Sequence, residues 1–152
     1  MARWIDTWLP GSSSSHPAAG AYPGERLGLP ADGVSSVAGF GRRLAALTVD
    51  WLLGYLIATL FTGPEVASAP FTVLGIWFLL TAAPVAVFGA SAGMTAVGIR
   101  VASLGGAAVV GVPRAVLRTA LIAVVVPPLV RDPDGRGWHD RATSTVVVRT
   151  RA

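Results

Sequence analysis

The chain has no cysteine and no lysine among its 152 residues. The first absence excludes disulfides, thiolate nucleophiles and cysteine metal sites, and leaves the redox compartment open. The second makes all 12 basic residues arginine, a compositional bias that carries no chemistry by itself. Histidine is scarce too, with only His16 and His139, which is too few ligands for a local metal site. No serine or histidine stands with an acid in nucleophile order, and the glycines of GFG, FGASAG and SLGG match no phosphate-cradling pattern. The expectation is a protein that is not an enzyme and holds neither cofactor nor metal. Charge is sparse as well, at 13% of residues against 53% hydrophobic, with a mean hydropathy of +0.62. That balance belongs to membrane proteins.

What charge there is marks topology. The formal net charge is +4, but the arginines flank apolar segments and do not interleave with aromatics, so the bilayer is the expected partner and nucleic acid is not. Residues 1–37 read as a disordered lead, carrying the low-complexity tract GSSSSHPAAGAYPG and, before it, Trp4 and Trp8 on one side of a short turn. Residues 38–149 form one membrane domain, with 150–152 as a tail. Leu44 to Phe61 is long enough to cross a hydrocarbon core, and so is the uncharged run Phe71 to Ala90, with a kink expected at Pro84. A third apolar stretch, 113–130, is interrupted by Arg118 and closed by Pro127 and Pro128, which fits a re-entrant or spanning embedded helix.

Between these lies alternation instead of helical spacing. Ile99 to Ser103 and Ala107 to Val110 flank LGG and predict a small hairpin, and STVVVR near the end predicts a strand to pair with it. The fold class is therefore an all-α membrane protein with two transmembrane helices, a third embedded helix and a small cytoplasmic β element. The loop between the first two spans has Glu65 and no arginine, while Arg42, Arg43, Arg100, Arg114 and Arg118 lie on the other side of the spans. The positive-inside rule then places the chain as a multi-pass protein of the cell membrane with its N terminus in the cytoplasm.

One residue does not suit its surroundings. Asp50 sits well inside the first span, on a ridge with Ala46, Gly54 and Ala58. Small residues at four-residue spacing let helix backbones approach closely, so this ridge predicts the protein-facing side. A carboxylate there either takes up a proton or stays charged against a cation. Arg43 lies about 10.5 Å below it along the axis, with its side chain leaning away. Arg118, in the short third segment, is the expected partner, since pairing would offset two desolvation penalties at once. Two readings stay open: a static ion pair that fixes helix packing, or a site for a proton or cation. Near the end, His139 and Asp140 lie in GRGWHDRATST, where Asp140 is expected to accept backbone N–H groups in a turn before the last strand.

Arg43, Asp50 and Asp140 together resemble the RDD family of small prokaryotic membrane proteins, over about Val37 to Arg149. In that family an arginine opens the first membrane helix, an aspartate lies in its middle, and a second aspartate follows a histidine near the end. The GIRV of Gly98 to Val101 is also family-like. Where the family often has Pro-Gly-Lys after the second helix, this chain has Ala92, Gly93 and Met94, and Thr143, Ser144 and Thr145 replace Ala-Gly-Thr after the His-Asp motif. The resemblance implies a transport-related membrane component of undefined substrate, with cation/proton exchange in a few members. The expected function is a contribution to transport of a small solute or ion, against a non-transporting scaffold or accessory subunit. Because three short helices cannot enclose a polar pathway, a homo-oligomer or larger membrane complex is expected, with the Ala46, Gly54 and Ala58 ridge as one self-association surface.

Overall fold

The computed structural model describes residues 20–67, 69–124 and 134–152. The expectations for Trp4 and Trp8 and for the Pro127–Pro128 closure lie outside those residues. Two long helices dominate. Helix α1 (Phe40–Ala67) starts a turn before the apolar run and takes Arg42 and Arg43 into its first turn; it breaks at Gly63, where φ 77° and ψ 162° interrupt the helix just before Pro64. Helix α2 (Pro70–Phe88) opens with proline, whose missing N–H is harmless in a first turn, and ends on Gly89 at φ 74°. A Cβ on Gly89 would also stand 2.9 Å from the Val101 carbonyl oxygen, so the chain needs glycine there twice over.

The segments Phe40–Glu65 and Phe71–Phe88 are long and apolar enough to cross a membrane. Only 22% and 28% of their apolar windows are buried within the chain, unlike the core helices of a globular protein. The remainder faces outward, with Leu52, Leu56, Leu60, Phe71 and Phe88 between 62% and 82% exposed. The buried stripe of α1 is the ridge of Ala46, Asp50, Gly54 and Ala58. It packs within the chain: a Cβ on Gly54 would stand 3.0 Å from Trp77 Cβ and 3.2 Å from Trp77 Cα on α2. Trp77 in turn stacks on Trp51, with ring centroids 4.9 Å apart. The surface expected to serve self-association is thus already covered within the chain, by α2 at Gly54 and by the segment around Gly93 at Ala46 and Asp50.

After α2 come α3 (Ala92–Ala96), β1 (Ile99–Ser103), α4 (Val112–Ala123), α5 (Trp138–Ala142) and β2 (Thr145–Arg149). The expected hairpin does not form. β1 pairs antiparallel with β2, Val101 opposite Val147, while Ala107 to Val110 stay outside any strand. The reason is that the other edge of β1 is taken, since the Val101 N–H donates to the Gly89 carbonyl at 2.6 Å. The loop instead returns to α2, where the Gly111 N–H donates to the Ala86 carbonyl. The valine run of β2 is buried throughout, as a strand covered on both faces must be.

Part of the lead is ordered. Residues 35–38 run antiparallel along the free edge of β2, with Ser35 and Ala38 N–H donating to Arg149 and Val147 carbonyls at 2.9 and 2.8 Å, and Arg149 N–H donating to the Ser36 carbonyl. Low complexity ends before this point, and an unpaired edge of a buried strand is a strong template for any extended segment beside it. Helix α4 has 12 residues, about 18 Å, less than a hydrocarbon core. It buries Ala115, Arg118 and Thr119 and turns Val112, Leu117 and Val124 outward. A core including Val85, Ile99, Val101, Ala115 and Val147 joins the ends of the helices to the sheet.

Candidate functional site

Asp140 occupies the third position of α5 and reaches back to the Gly137 N–H at 3.3 Å, satisfying one orphan donor of that short helix. Its stronger partners come from elsewhere. Arg43 Nη1 on α1 donates to Oδ2 at 2.7 Å, and Arg118 Nη1 on α4 donates to Oδ1. His139 Nε2 lies 3.4 Å from Oδ1. Asp140 is 0% exposed, so one carboxylate ties three elements together out of reach of water. Burial opposes its ionisation, but the Arg118 guanidinium, helped by His139 and Arg43, outweighs burial and holds the carboxyl well below the usual carboxylate range. Arg43 also donates through Nε to the Ala38 carbonyl, and Arg118 to the Thr145 hydroxyl on β2, where Thr143 and Thr145 hydroxyls meet at 3.0 Å. The expected turn at Asp140 is therefore an ion cluster on a helix.

The expected pair of Asp50 with Arg118 is not made. Arg118 is held by Asp140 and Thr145, because α4 packs with its buried face toward α5 and β2 as well as α2. Asp50, 4% exposed, accepts instead from the Ser91 hydroxyl at 2.5 Å and the Gly93 N–H at 2.7 Å. Ser91 caps α3, its hydroxyl accepting from the Met94 N–H at 3.2 Å. Asp50 thus supplies from α1 the second acceptor at the start of α3, satisfying backbone donors that a helix this short leaves open. The fit is close: a Cβ on Gly93 would overlap the Ala46 carbonyl oxygen and stand 2.9 Å from the Asp50 carboxyl carbon. Ala46, at 2% exposure, is small for the same reason. Ser91 and Gly93 were not legible as partners of Asp50; the one local signal was a serine three residues before Met94, the spacing of a helix cap.

A cavity of about 210 Å³ opens beside these groups, bounded by α1, α2 and α4. Asp50, Arg43, Arg118 and His139 supply its ionisable residues; Leu44, Leu47, Trp51 and Ile122 give much of its apolar wall, and Trp77 and Thr81 line it from α2. The structure therefore gathers Arg43, Arg118 and Asp140 into one cluster, keeps Asp50 apart with neutral donors, and places both arginines and Asp50 on one cavity. No protein-family model matches this chain, and no curated protein or solved structure matches it either.

Proposed function

We propose that the chain is a multi-pass integral membrane protein of the RDD type, with its N terminus in the cytoplasm, that contributes to transport of a small solute or ion through the site at Asp50. Support for membrane insertion comes from the outward apolar faces of α1 and α2, which would be aggregation-prone in water. Helix α4 fits the same setting as an embedded helix, apolar outside and with Arg118 turned inward.

The observation that carries the transport reading is the company Asp50 keeps. An intramembrane carboxylate locked to a fixed cation has no freedom to exchange one. Here the partners are a hydroxyl and an amide N–H, and the residue lines an open cavity. Such a group can exchange a proton or bind a small cation, and the neutral donors remain whichever form is present. The scaffold reading draws on a different observation, the Arg43, Asp140 and Arg118 cluster, in which one carboxylate holds α1, α4 and α5 together.

The test is flux in proteoliposomes under an imposed pH gradient, with a panel of alkali cations and wild-type protein beside Asp50→Asn. Transport predicts pH-dependent flux in the wild type that disappears in a variant that still inserts and folds. Equal flux in both proteins removes Asp50 as the site, and no flux in the wild type overturns the transport reading in favour of the scaffold.

A further inference from the structure

Three hydrogen-bonding atoms on residues of the cavity wall have no partner among the described residues: the indole Nε1 of Trp77, the hydroxyl of Thr81 and Nε of Arg118. The residues are 0%, 3% and 2% exposed, so water does not substitute freely. Two of the atoms can only donate, and the third can donate as readily as accept. Buried polar groups are nearly always satisfied, and three orphans around one cavity are a demand for an acceptor. Trp77 and Thr81 are one turn apart on α2, on one face, which places the demand on a single wall.

Charge narrows the ligand further. With histidine counted as neutral, Arg43 and Arg118 share Asp140, which leaves one positive charge over, and an ionised Asp50 cancels it. The cavity then calls for no net charge, in a low-dielectric site where an unbalanced one would be strongly disfavoured. Its wall is otherwise mostly apolar, and Leu44 and Trp51, two of its lining residues on α1, are 49% and 38% exposed. The volume, about 210 Å³, exceeds the about 150 Å³ of an apolar cavity that accommodates benzene.

We propose that this cavity binds the carbonyl end of an uncharged, membrane-soluble molecule, with its oxygen accepting from Thr81, Trp77 and Arg118 and its apolar body lying toward Leu44 and Trp51. An ester carbonyl of a bilayer lipid and a ring carbonyl of a quinone share this chemistry. Membrane location, taken from the reading above, is all that such binding requires; transport is not.

The probe is a short-chain alkyl benzoquinone, which quenches tryptophan fluorescence on contact. It is titrated into nanodiscs of ether-linked phosphatidylcholine, which has no ester carbonyl, holding the full chain with Trp4, Trp8 and Trp138 replaced by phenylalanine so that Trp51 and Trp77 report. Saturable quenching is expected. Thr81→Val, which keeps the shape and removes one hydrogen bond, should weaken the midpoint by roughly fivefold, and Ala123→Phe, which fills the cavity, should abolish saturation. If Ala123→Phe does not fold, by its thermal unfolding, the Thr81→Val midpoint decides alone. Repeating the titration in ester-linked lipid separates the sources: an unchanged midpoint assigns the site to the free carbonyl compound, and a weakened one assigns it to lipid ester in competition. Quenching that rises linearly with quinone, or saturates identically in the variants, overturns the proposal. Saturable binding without any flux would leave it standing while removing the transport reading, so the two fail separately.

Discussion

Asp50 and Asp140 are both buried carboxylates, 4% and 0% exposed, and they are held in opposite ways. Asp140 sits between two guanidiniums, with a histidine beside it, where the positive charges overcome burial. Asp50 has a hydroxyl and a backbone amide, with Arg43 turned away to the other acid. The difference separates a group that must stay charged for the fold to hold from one whose charge the fold does not need. A buried carboxylate shared by two guanidiniums is architectural, whereas a carboxylate satisfied by neutral donors keeps its contacts through a change of protonation.

The largest expected effect tests the first half of that contrast. Asp140→Ala leaves Arg43 and Arg118 buried beside no carboxylate, and should destabilise by about 3 to 5 kcal/mol, as broken buried pairs do. Thermal unfolding in detergent would read it, and a loss below about 1 kcal/mol would show that the cluster is not architectural. The same group sets an acid limit. Its folded pKa lies below its unfolded value, so its stabilisation is fully present above about pH 4 and is lost only as pH falls from there toward the depressed folded pKa. Unfolding midpoints that drop steeply between pH 6 and pH 5, a range chosen because carboxylates of ordinary pKa are already ionised there, would contradict that sign.

An intermediate effect is expected where Asp50 meets α3. Gly93→Ala puts a methyl onto the Ala46 carbonyl oxygen, a backbone atom that cannot swing aside. Overpacking of this kind should cost about 1 to 3 kcal/mol and disturb the Asp50 contacts with it. An alanine variant as stable as wild type would mean that α3 does not seat on α1 in this way. The smallest effect sharpens the comparison most. Asn at position 50 can still accept the Gly93 N–H through Oδ1 and donate to the Ser91 oxygen through Nδ2, so stability should change by no more than about 1 kcal/mol. A loss as large as that of Asp140→Ala would make the two carboxylates alike and remove the basis for treating Asp50 as exchangeable.

Much of this molecule was legible because the signals are local. Hydropathy over eighteen residues is a property of a short window, and it located both long helices, α1 extending from Phe40 to Ala67 around the expected Leu44 to Phe61. The four-residue ridge was equally readable, since Ala46, Asp50, Gly54 and Ala58 are small or odd in an otherwise bulky run, and they are the buried stripe of α1. The valines of Thr145–Arg149 announced a strand. The hairpin failed for a non-local reason: pairing of β1 was decided by the Gly89 carbonyl and by β2, neither visible in the LGG turn. The extended stretch at 35–38 could not be told from the low-complexity tract before it, because its order comes from the edge of β2.

Composition and periodicity alone therefore determined the two apolar helices, the face of α1 that packs inward and the presence of ionisable residues where water is scarce. Helical spacing makes such faces countable along the chain. Which acid meets which arginine was settled only in three dimensions. Desolvation requires that buried charges find partners, but it is indifferent to which, and Arg118 could have reduced its penalty with either aspartate. The seating of α4 against α5 and β2 gave it Asp140, and the close approach of Gly93 to Ala46 gave Asp50 to α3.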